Sequence, residues 1–457
     1  MTHYLRVAVV PLYLMLCLML GGASAAGFWV NMVLQLLALP ILVWALVVKR
    51  STPMSRPARQ LCAILVLMLL VVAVQLIPLP PSMWTSLAGR EPIAQGYRLL
   101  GQPLPWLPIS LAPHETLSSA LWLLPALAVC LGIVRLGSFK ANWIGWALAV
   151  VTTLAVGIGA MQIASGDPMA WYFYRTTNVG ATTGFFANAN HMATLLVATV
   201  PFLTALYLSA RGRGRSAKGA SGMFVVLAGA LTVVVVGVVI NRSLAGVGLA
   251  VPVVAASLLM LLSRKRKLPR WSGAAVAVLA VLAVVLVFEG PIQNSLAGAE
   301  AQTSFASRQT MFATSLEATR NFLPLGSGIG TFAEIYPLYE APGAVTRWFV
   351  NHAHSDYIEL ALETGFLGLG VLLVFLLWWL VRTAAIWRAE QPDYFARAAT
   401  IASAAMLAHS VVDYPLRTAA MSALFAACCA LMAEPRARAR RSEAPETESK
   451  PRHLSAD

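Results

Sequence analysis

Twelve apolar blocks of about 16–24 residues interrupt this chain, at 7–24, 28–48, 60–78, 116–135, 141–163, 188–210, 223–240, 244–262, 272–289, 365–383, 395–412 and 418–433. Each is long enough to cross ~30 Å of hydrocarbon as a helix, and a backbone in lipid must satisfy its hydrogen bonds within its own segment. The pattern therefore implies an all-α polytopic membrane protein of about 12 transmembrane helices. Composition agrees: of 457 residues, 58% are hydrophobic and 11% charged, where a soluble domain carries ~25% charged residues. Soluble enzyme classes are excluded on that ground.

A formal net charge of +14, from 33 basic and 19 acidic residues, raises the question of nucleic acid. The positions of the charges answer it, because most basic residues lie between apolar blocks, where short cytoplasmic loops retain Lys and Arg. Loops from Lys49 to Arg59, Arg135 to Lys140, Arg211 to Lys218, Arg264 to Arg270 and Arg382 to Arg397 carry 18 of them. Arg6 and the six basic residues from Arg436 onward bring the cytoplasmic total to 25. Both termini are then cytoplasmic, an even number of spans closes without conflict, and membrane lipid rather than nucleic acid is the expected partner. Residues 1–433 read as one transmembrane unit, with 434–457 a disordered cytoplasmic tail lacking apolar periodicity. Residues 1–25 resemble a secretory signal, with Ala23-Ser24-Ala25 as a cleavage site, but the second block follows so closely that an uncleaved hairpin is favoured. The five cysteines all fall inside apolar blocks without a CxxC pair, which leaves no disulfide framework or zinc site to expect.

Three outward segments are long: 79–115, 164–187 and 290–364. The first is rich in Pro and Trp and the second holds Trp171-Tyr172-Phe173-Tyr174; both suit the headgroup layer. In the third, Phe305, Phe312 and Leu316 recur at helical spacing to about residue 321, and Pro324-Leu325-Gly326-Ser327-Gly328-Ile329-Gly330 then breaks the helix. No internal repeat is visible and mid-membrane ionisable residues are sparse, which weighs against a secondary transporter.

The outward basic residues are all arginine: Arg90, Arg98, Arg175, Arg242, Arg308, Arg320, Arg347 and Arg417. A guanidinium grips phosphate bidentately and keeps its charge when partly desolvated. Arg242 stands out because Asn241-Arg242-Ser243 fills a short turn between two spans, where a charge needs a partner. A snorkelling side chain or a clamp for a lipid-borne phosphate both fit. In Asn351-His352-Ala353-His354-Ser355-Asp356-Tyr357-Ile358-Glu359, read as a helix continuing to Glu363, His352, Asp356, Glu359 and Glu363 share one face. That face is either solvated or, less readily, a divalent-metal site. His354 falls on the other side, with Ile358 and Ala361, where a neutral imidazole suits general-base work; a helix-start histidine bonded to backbone is the plainer alternative. In Asn188-Ala189-Asn190-His191, Asn190 is a candidate helix cap and His191 packs in the bundle or meets substrate. His409 and Asp413 form a possible local pair.

In this order the pieces resemble the O-antigen ligase superfamily of bacterial inner-membrane glycan transferases, which includes O-antigen polymerases and protein O-oligosaccharyltransferases. Gly184-Phe185-Phe186-Ala187-Asn188-Ala189-Asn190-His191 is similar to the family's Asn-x-Asn-His element, and Asn241-Arg242-Ser243 to its Ser-Arg turn, with Asn in place of the usual Ser. Ser307-Arg308 followed by the 324–332 loop matches the long outer loop, and His354-Ser355 followed by Gly365-x-x-Gly368 matches its signature. The resemblance spans roughly residues 180–415. It implies a metal-independent, inverting glycosyltransferase without cofactor, acting at the periplasmic face, with His354, Arg242 and Arg308 essential and Asn190, His191 and His352 near substrate. It further implies an undecaprenyl diphosphate-linked glycan as donor and lipid A–core as acceptor. The alternatives are a second lipid-linked repeat unit as acceptor, as in a polymerase, a protein acceptor, or a lipid-glycan transporter.

Overall fold

The apolar blocks become helices because no other arrangement closes the backbone hydrogen bonds of a chain in lipid. In the computed structural model the described residues are 2–24, 28–49, 53–136, 140–167, 169–211, 217–263, 299–345 and 350–434, with a few positions between 269 and 282. They form an all-α polytopic membrane protein. The helices are α1 Thr2–Leu20, α2 Phe28–Val47, α3 Arg56–Gln75, α4 Pro81–Trp84, α5 Glu91–Leu99, α6 Pro113–Trp122, α7 Leu124–Leu136, α8 Ala141–Ala164, α9 Ala189–Arg211, α10 Ala217–Asn241, α11 Leu244–Leu262, α12 Ala299–Phe322, α13 Phe332–Ile335, α14 Asp356–Arg388, α15 Tyr394–His409 and α16 Ala419–Ala433. Eight segments are long and apolar enough to span: α2, α3, α6 with α7, α8, α9, α10, α11 and α14. The shorter apolar helices α1 and α16 pack among them, as does α15. The ninth apolar block, 272–289, the loop before it and the tail from 435 lie largely outside the described residues.

The centre of the bundle is α9, which packs against α8, α10, α11 and α15, while α16 packs against α1, α3, α7 and α15. Small residues on α15 and α16 permit this closeness: Ala398, Ala399, Ala402, Ala420, Ala423 and Ala427 are all buried. Helices α10, α2 and the lower part of α14 instead expose Val, Leu and Phe side chains, as lipid-facing helices do.

Consecutive spans alternate in direction, so one end of the bundle gathers the C-termini of α1, α3, α8, α10 and α15 with the N-termini of α9, α11, α14 and α16. The opposite end is tied by arginines: Arg382 donates to Met432 O, Arg135 to Ala45 O and Arg397 to Ser263 Oγ. At the first end the two longest connections fold onto each other. Residues 78–79 pair antiparallel with 107–108, and the buried Arg90 lies over the Phe322 ring at 5.5 Å. The 79–115 segment thus packs on the 322–330 loop, while Leu99, Leu100 and Trp106 stay exposed.

Helix α14 contains a break that hydropathy does not announce. Gly365 takes φ 56° and ψ −146°, and the chain resumes as helix beyond it. The carbonyls freed by the break accept from the glycine-rich loop instead: Ser327 N–H donates to Leu362 O at 2.9 Å and Gly328 N–H to Glu363 O at 2.9 Å. Phe366 N–H donates to Pro324 O at 2.8 Å, completing the exchange. A side chain at 365 would collide with the Pro324 carbonyl, so both φ and space require glycine. Gln75, at the end of α3, seals the joint by donating to Glu363 O at 2.7 Å and accepting from Ile329 N–H at 3.0 Å.

Candidate functional site

The turn Asn241-Arg242-Ser243 joins α10 to α11 and is fastened on both sides of its arginine. Asn241 Nδ2 donates to Thr182 O at 2.7 Å and Ala189 O at 3.0 Å. Ser243 Oγ caps α11 by accepting from Gly246 N–H and donates to Asn190 Oδ1 at 2.8 Å. Between these anchors Arg242 has φ 56° and an exposed side chain. Among the described residues it has no hydrogen-bond or salt-bridge partner. The asparagine at 241 therefore has a structural reason: its amide reaches one carbonyl ahead of the Asn-x-Asn-His element and one, that of Ala189, within it.

That element opens α9. The cap on α9 comes from Asn188, whose Oδ1 accepts from Asn190 N–H at 2.8 Å, with Asn178 Oδ1 accepting from Ala189 N–H at 2.9 Å. The cap expected of Asn190 is thus corrected: Asn190 lies inside the helix, and its side chain is free to donate to Asp413 Oδ2 at 2.6 Å.

Asp413, buried in the connection between α15 and α16, is the hub of the site. His191 Nε2 lies 3.5 Å and His354 Nδ1 3.9 Å from its Oδ1, which also accepts from Tyr414 N–H at 2.8 Å. Burial favours the neutral acid, but the neighbouring imidazoles, His191 first, hold the Asp413 carboxyl well below its usual range. The rings of His191, His352 and His354 surround Tyr414, at centroid distances of 5.1, 4.3 and 5.1 Å.

His354 precedes α14 rather than riding on it. The helix starts at Asp356 with Ser355 as its cap, and His354 takes φ 50° so that its ring turns to Asp413 across the bundle end. Its position beside Ile358 and Ala361, expected from a continuous helix, is corrected accordingly. Burial pushes its pKa down to about 4; the Asp413 charge opposes this and Arg308 adds to it. The imidazole is neutral at physiological pH, and its buried Nδ1 lies toward Asp413 without a hydrogen bond to it. Arg308 sits on α12 and is half-buried, near enough for its charge to act on His354.

The acidic face of α14 serves a different purpose from the metal site considered for it. Arg417 Nη1 reaches Glu363 Oε2 at 2.9 Å and Glu359 Oε1 at 3.2 Å, and Nε lies 3.7 Å from Asp356 Oδ1. Ser410 Oγ donates to Asp356 Oδ2 at 2.7 Å, and Gly330 N–H to Glu363 Oε1 at 2.9 Å. His352 completes the group through Nδ1 to Glu359 Oε1 at 2.9 Å. The three carboxylates are thereby committed to an internal arginine, and among the described residues no cluster of His, Cys, Asp or Glu is arranged to hold a metal.

The structure thus brings His354, His191 and Asn190 to one carboxylate, sets Arg242 on a turn bonded to Asn190, and puts His352 against the Tyr414 ring. The hub itself, Asp413 with Tyr414, is the feature sequence reasoning underweighted. Its trace was the pair His409 and Asp413, but the His409 ring goes instead to Thr194 Oγ1, at 2.5 Å.

Residues 229–373 match a protein-family model described as O-antigen ligase. No curated protein matches the chain.

Proposed function

We propose, on the premise that the match over residues 229–373 makes the chain a member of the O-antigen ligase superfamily, that it moves a glycan from undecaprenyl diphosphate to a hydroxyl of lipid A–core. Arg242 and Arg308 bind the diphosphate and stabilise the charge that builds on it as the bond to sugar C1 breaks. His354 takes the acceptor hydroxyl's proton, the acceptor oxygen forms the new bond to C1, and the diphosphate leaves with the electron pair of the old one. Attack from the face opposite the leaving group inverts the anomeric centre. Asp413 orients the imidazole, favouring the proton on Nδ1 and leaving Nε2 as the base. Asn190 and His191 hold Asp413, and His352 borders the acceptor side. The reaction needs no metal or cofactor. It takes place on the periplasmic side of a bacterial inner membrane, with both termini cytoplasmic.

One observation carries this reading. An exposed arginine without a partner among the described residues and a neutral histidine facing a buried carboxylate are both held in backbone conformations that side chains rarely adopt, at the same end of the bundle. Strain of that kind persists only where the surroundings impose it, and it concentrates at active sites.

Deletion of the gene followed by glycan analysis, with complementation by His354→Ala, Arg242→Ala and Arg308→Ala, tests the proposal. A ligase predicts loss of core-attached polymer while lipid-linked polymer accumulates. Accumulation of single repeat units would instead identify a polymerase, and normal glycan in all three variants would remove these residues from the chemistry. Full activity of His354→Ala coupled to an ion gradient would point to transport.

A further inference from the structure

Three described residues other than glycine have a positive φ: Trp171 at 67°, Arg242 at 56° and His354 at 50°. For a bulky side chain this is an outlier that the surroundings must enforce. The latter two belong to the site described above, and Trp171 has no part in it.

The enforcement at Trp171 comes from the same turn that holds Arg242. Gln162 Nε2 donates to Trp171 O at 3.0 Å and to Gly184 O at 3.1 Å, while its Oε1 accepts from Thr183 N–H at 2.9 Å and Gly184 N–H at 3.0 Å. Tyr172 closes the loop, its hydroxyl donating to Ala181 O at 2.8 Å and accepting from Gly180 N–H at 2.9 Å. On the other side of the turn, Asn241 donates to Thr182 O. One glutamine and one asparagine therefore clamp residues 182–184 from two sides, with Trp171 next to the first and Arg242 next to the second. The neighbouring aromatics have protein partners: Phe173, itself 57% exposed, stacks on Phe185 at 5.8 Å, and buried Tyr174 donates to Leu20 O at 3.1 Å. Trp171 keeps 49% of its surface exposed. A tryptophan that merely sits at the membrane–water interface needs no strained backbone. Gln162 thus ties the exposed indole's strained backbone to residues 183–184, and Asn241 ties the adjacent Thr182 to the turn that carries Arg242, whose guanidinium has no partner among the described residues.

We propose that Trp171 is a glycan-stacking residue, whose indole face receives a pyranose ring of the donor close to the diphosphate at Arg242. The inference rests on Arg242 binding the diphosphate. A pyranose presents a face of C–H bonds that packs on the negative π face of an indole, and an indole, with two side-chain torsions, loses little entropy on binding. Such a contact recognises a sugar ring as a class and positions it without reading each hydroxyl.

The test uses the full chain in lipid nanodiscs, with two probes: undecaprenyl diphosphate carrying its glycan, and undecaprenyl diphosphate alone. Trp171→Leu keeps an apolar side chain but removes the π face; it should weaken the glycan-bearing probe about tenfold, the scale of one aromatic contact, and leave the bare carrier unchanged. Trp171→Tyr should restore most of the affinity. Trp171→Gly relieves the positive φ, so its thermal midpoint should be equal to or above that of the parent while glycan affinity falls. Unchanged affinity for both probes in Trp171→Leu overturns the proposal, as does equal loss for both accompanied by a lower midpoint in Trp171→Gly. Arg242→Ala is expected to weaken both probes; if it weakens neither, the diphosphate reading falls, whereas a selective loss in Trp171→Leu still upholds stacking.

Discussion

His354 illustrates how far burial and charge set a residue's chemistry. Its pKa is lowered from 6.5 to about 4, chiefly by burial. A depressed folded-state pKa means that the folded chain binds this proton less readily than the unfolded chain. The stability it contributes is full above about pH 6.5 and is lost as pH falls through about 4. The acid limb of kcat/KM is expected near pH 4, and Arg308→Ala, which removes a charge that lowers this pKa, should raise it; NMR titration of the His354 ring in the two proteins decides it without requiring turnover. Asp413→Asn should cut kcat by about 100-fold or more, on the scale of losing an oriented general base, with little change in donor affinity, read by separate binding and turnover measurements. Asn241 works through geometry alone: Asn241→Ala forfeits two buried hydrogen bonds, ~1–3 kcal/mol each when a partner is left unsatisfied, and should lower thermal stability together with donor affinity. Arg242 and the histidine of the long loop were legible in the sequence because a charge in a tight interhelical turn and a titratable cluster at the mouth of a span are both anomalies. Asp413 and Arg417 were not, because their partners lie far away in sequence: Arg417 meets Glu363 and Asp413 meets Asn190 only after α9, α14 and α15 have packed.

Among the elements, hydropathy located the apolar helices, of which eight among the described residues are long enough to span, since apolar length is what lipid demands of a helix. It could not find the break in α14, where Gly365 sits in a run of apolar and small residues, because the break depends on a loop some forty residues earlier that takes over the freed carbonyls. The GxxG pair marked the place without revealing the cause. Gly365→Ala should be strongly destabilising, by ~2–4 kcal/mol, since it combines a positive φ with a backbone collision; Gly96→Ala, where an added methyl meets nothing, is the matched control in a thermal melt. Gln75→Leu should loosen the same joint, and protease susceptibility of the 324–330 loop would report it. The helix read in the long outer segment is α12, Ala299–Phe322, and it ends at the proline-glycine run as the pattern predicted, but the amphipathic face is corrected: Ser315, Ala318, Thr319 and Phe322 are buried while Leu316 is exposed.

At the scale of the molecule, the basic-residue count and the alternating spans agree on two unlike ends, one carrying the buried Asp413 hub and the other fastened by arginines to helix carbonyls. Single cysteines introduced at Leu99 and at Ser263, exposed or bordering opposite ends, should react with a membrane-impermeant maleimide from opposite sides of right-side-out vesicles; labelling from the same side would contradict the proposed orientation. Activity of the purified chain should survive chelation, because Arg417 already engages the carboxylates that might have bound a cation. The break at Gly365 also acts as a depth gauge. Beyond it, residues 366–388 of α14 extend ~35 Å at ~1.5 Å per residue, enough to fill the ~30 Å hydrocarbon layer. The nine residues before it, 356–364, rise a further ~13 Å by the same measure. A carrier anchored by its tail keeps its phosphates near the waterline, so the proposed base His354, set just before that upper stretch, would address only what projects from the carrier, and the height of one glycine would determine which bond comes within reach.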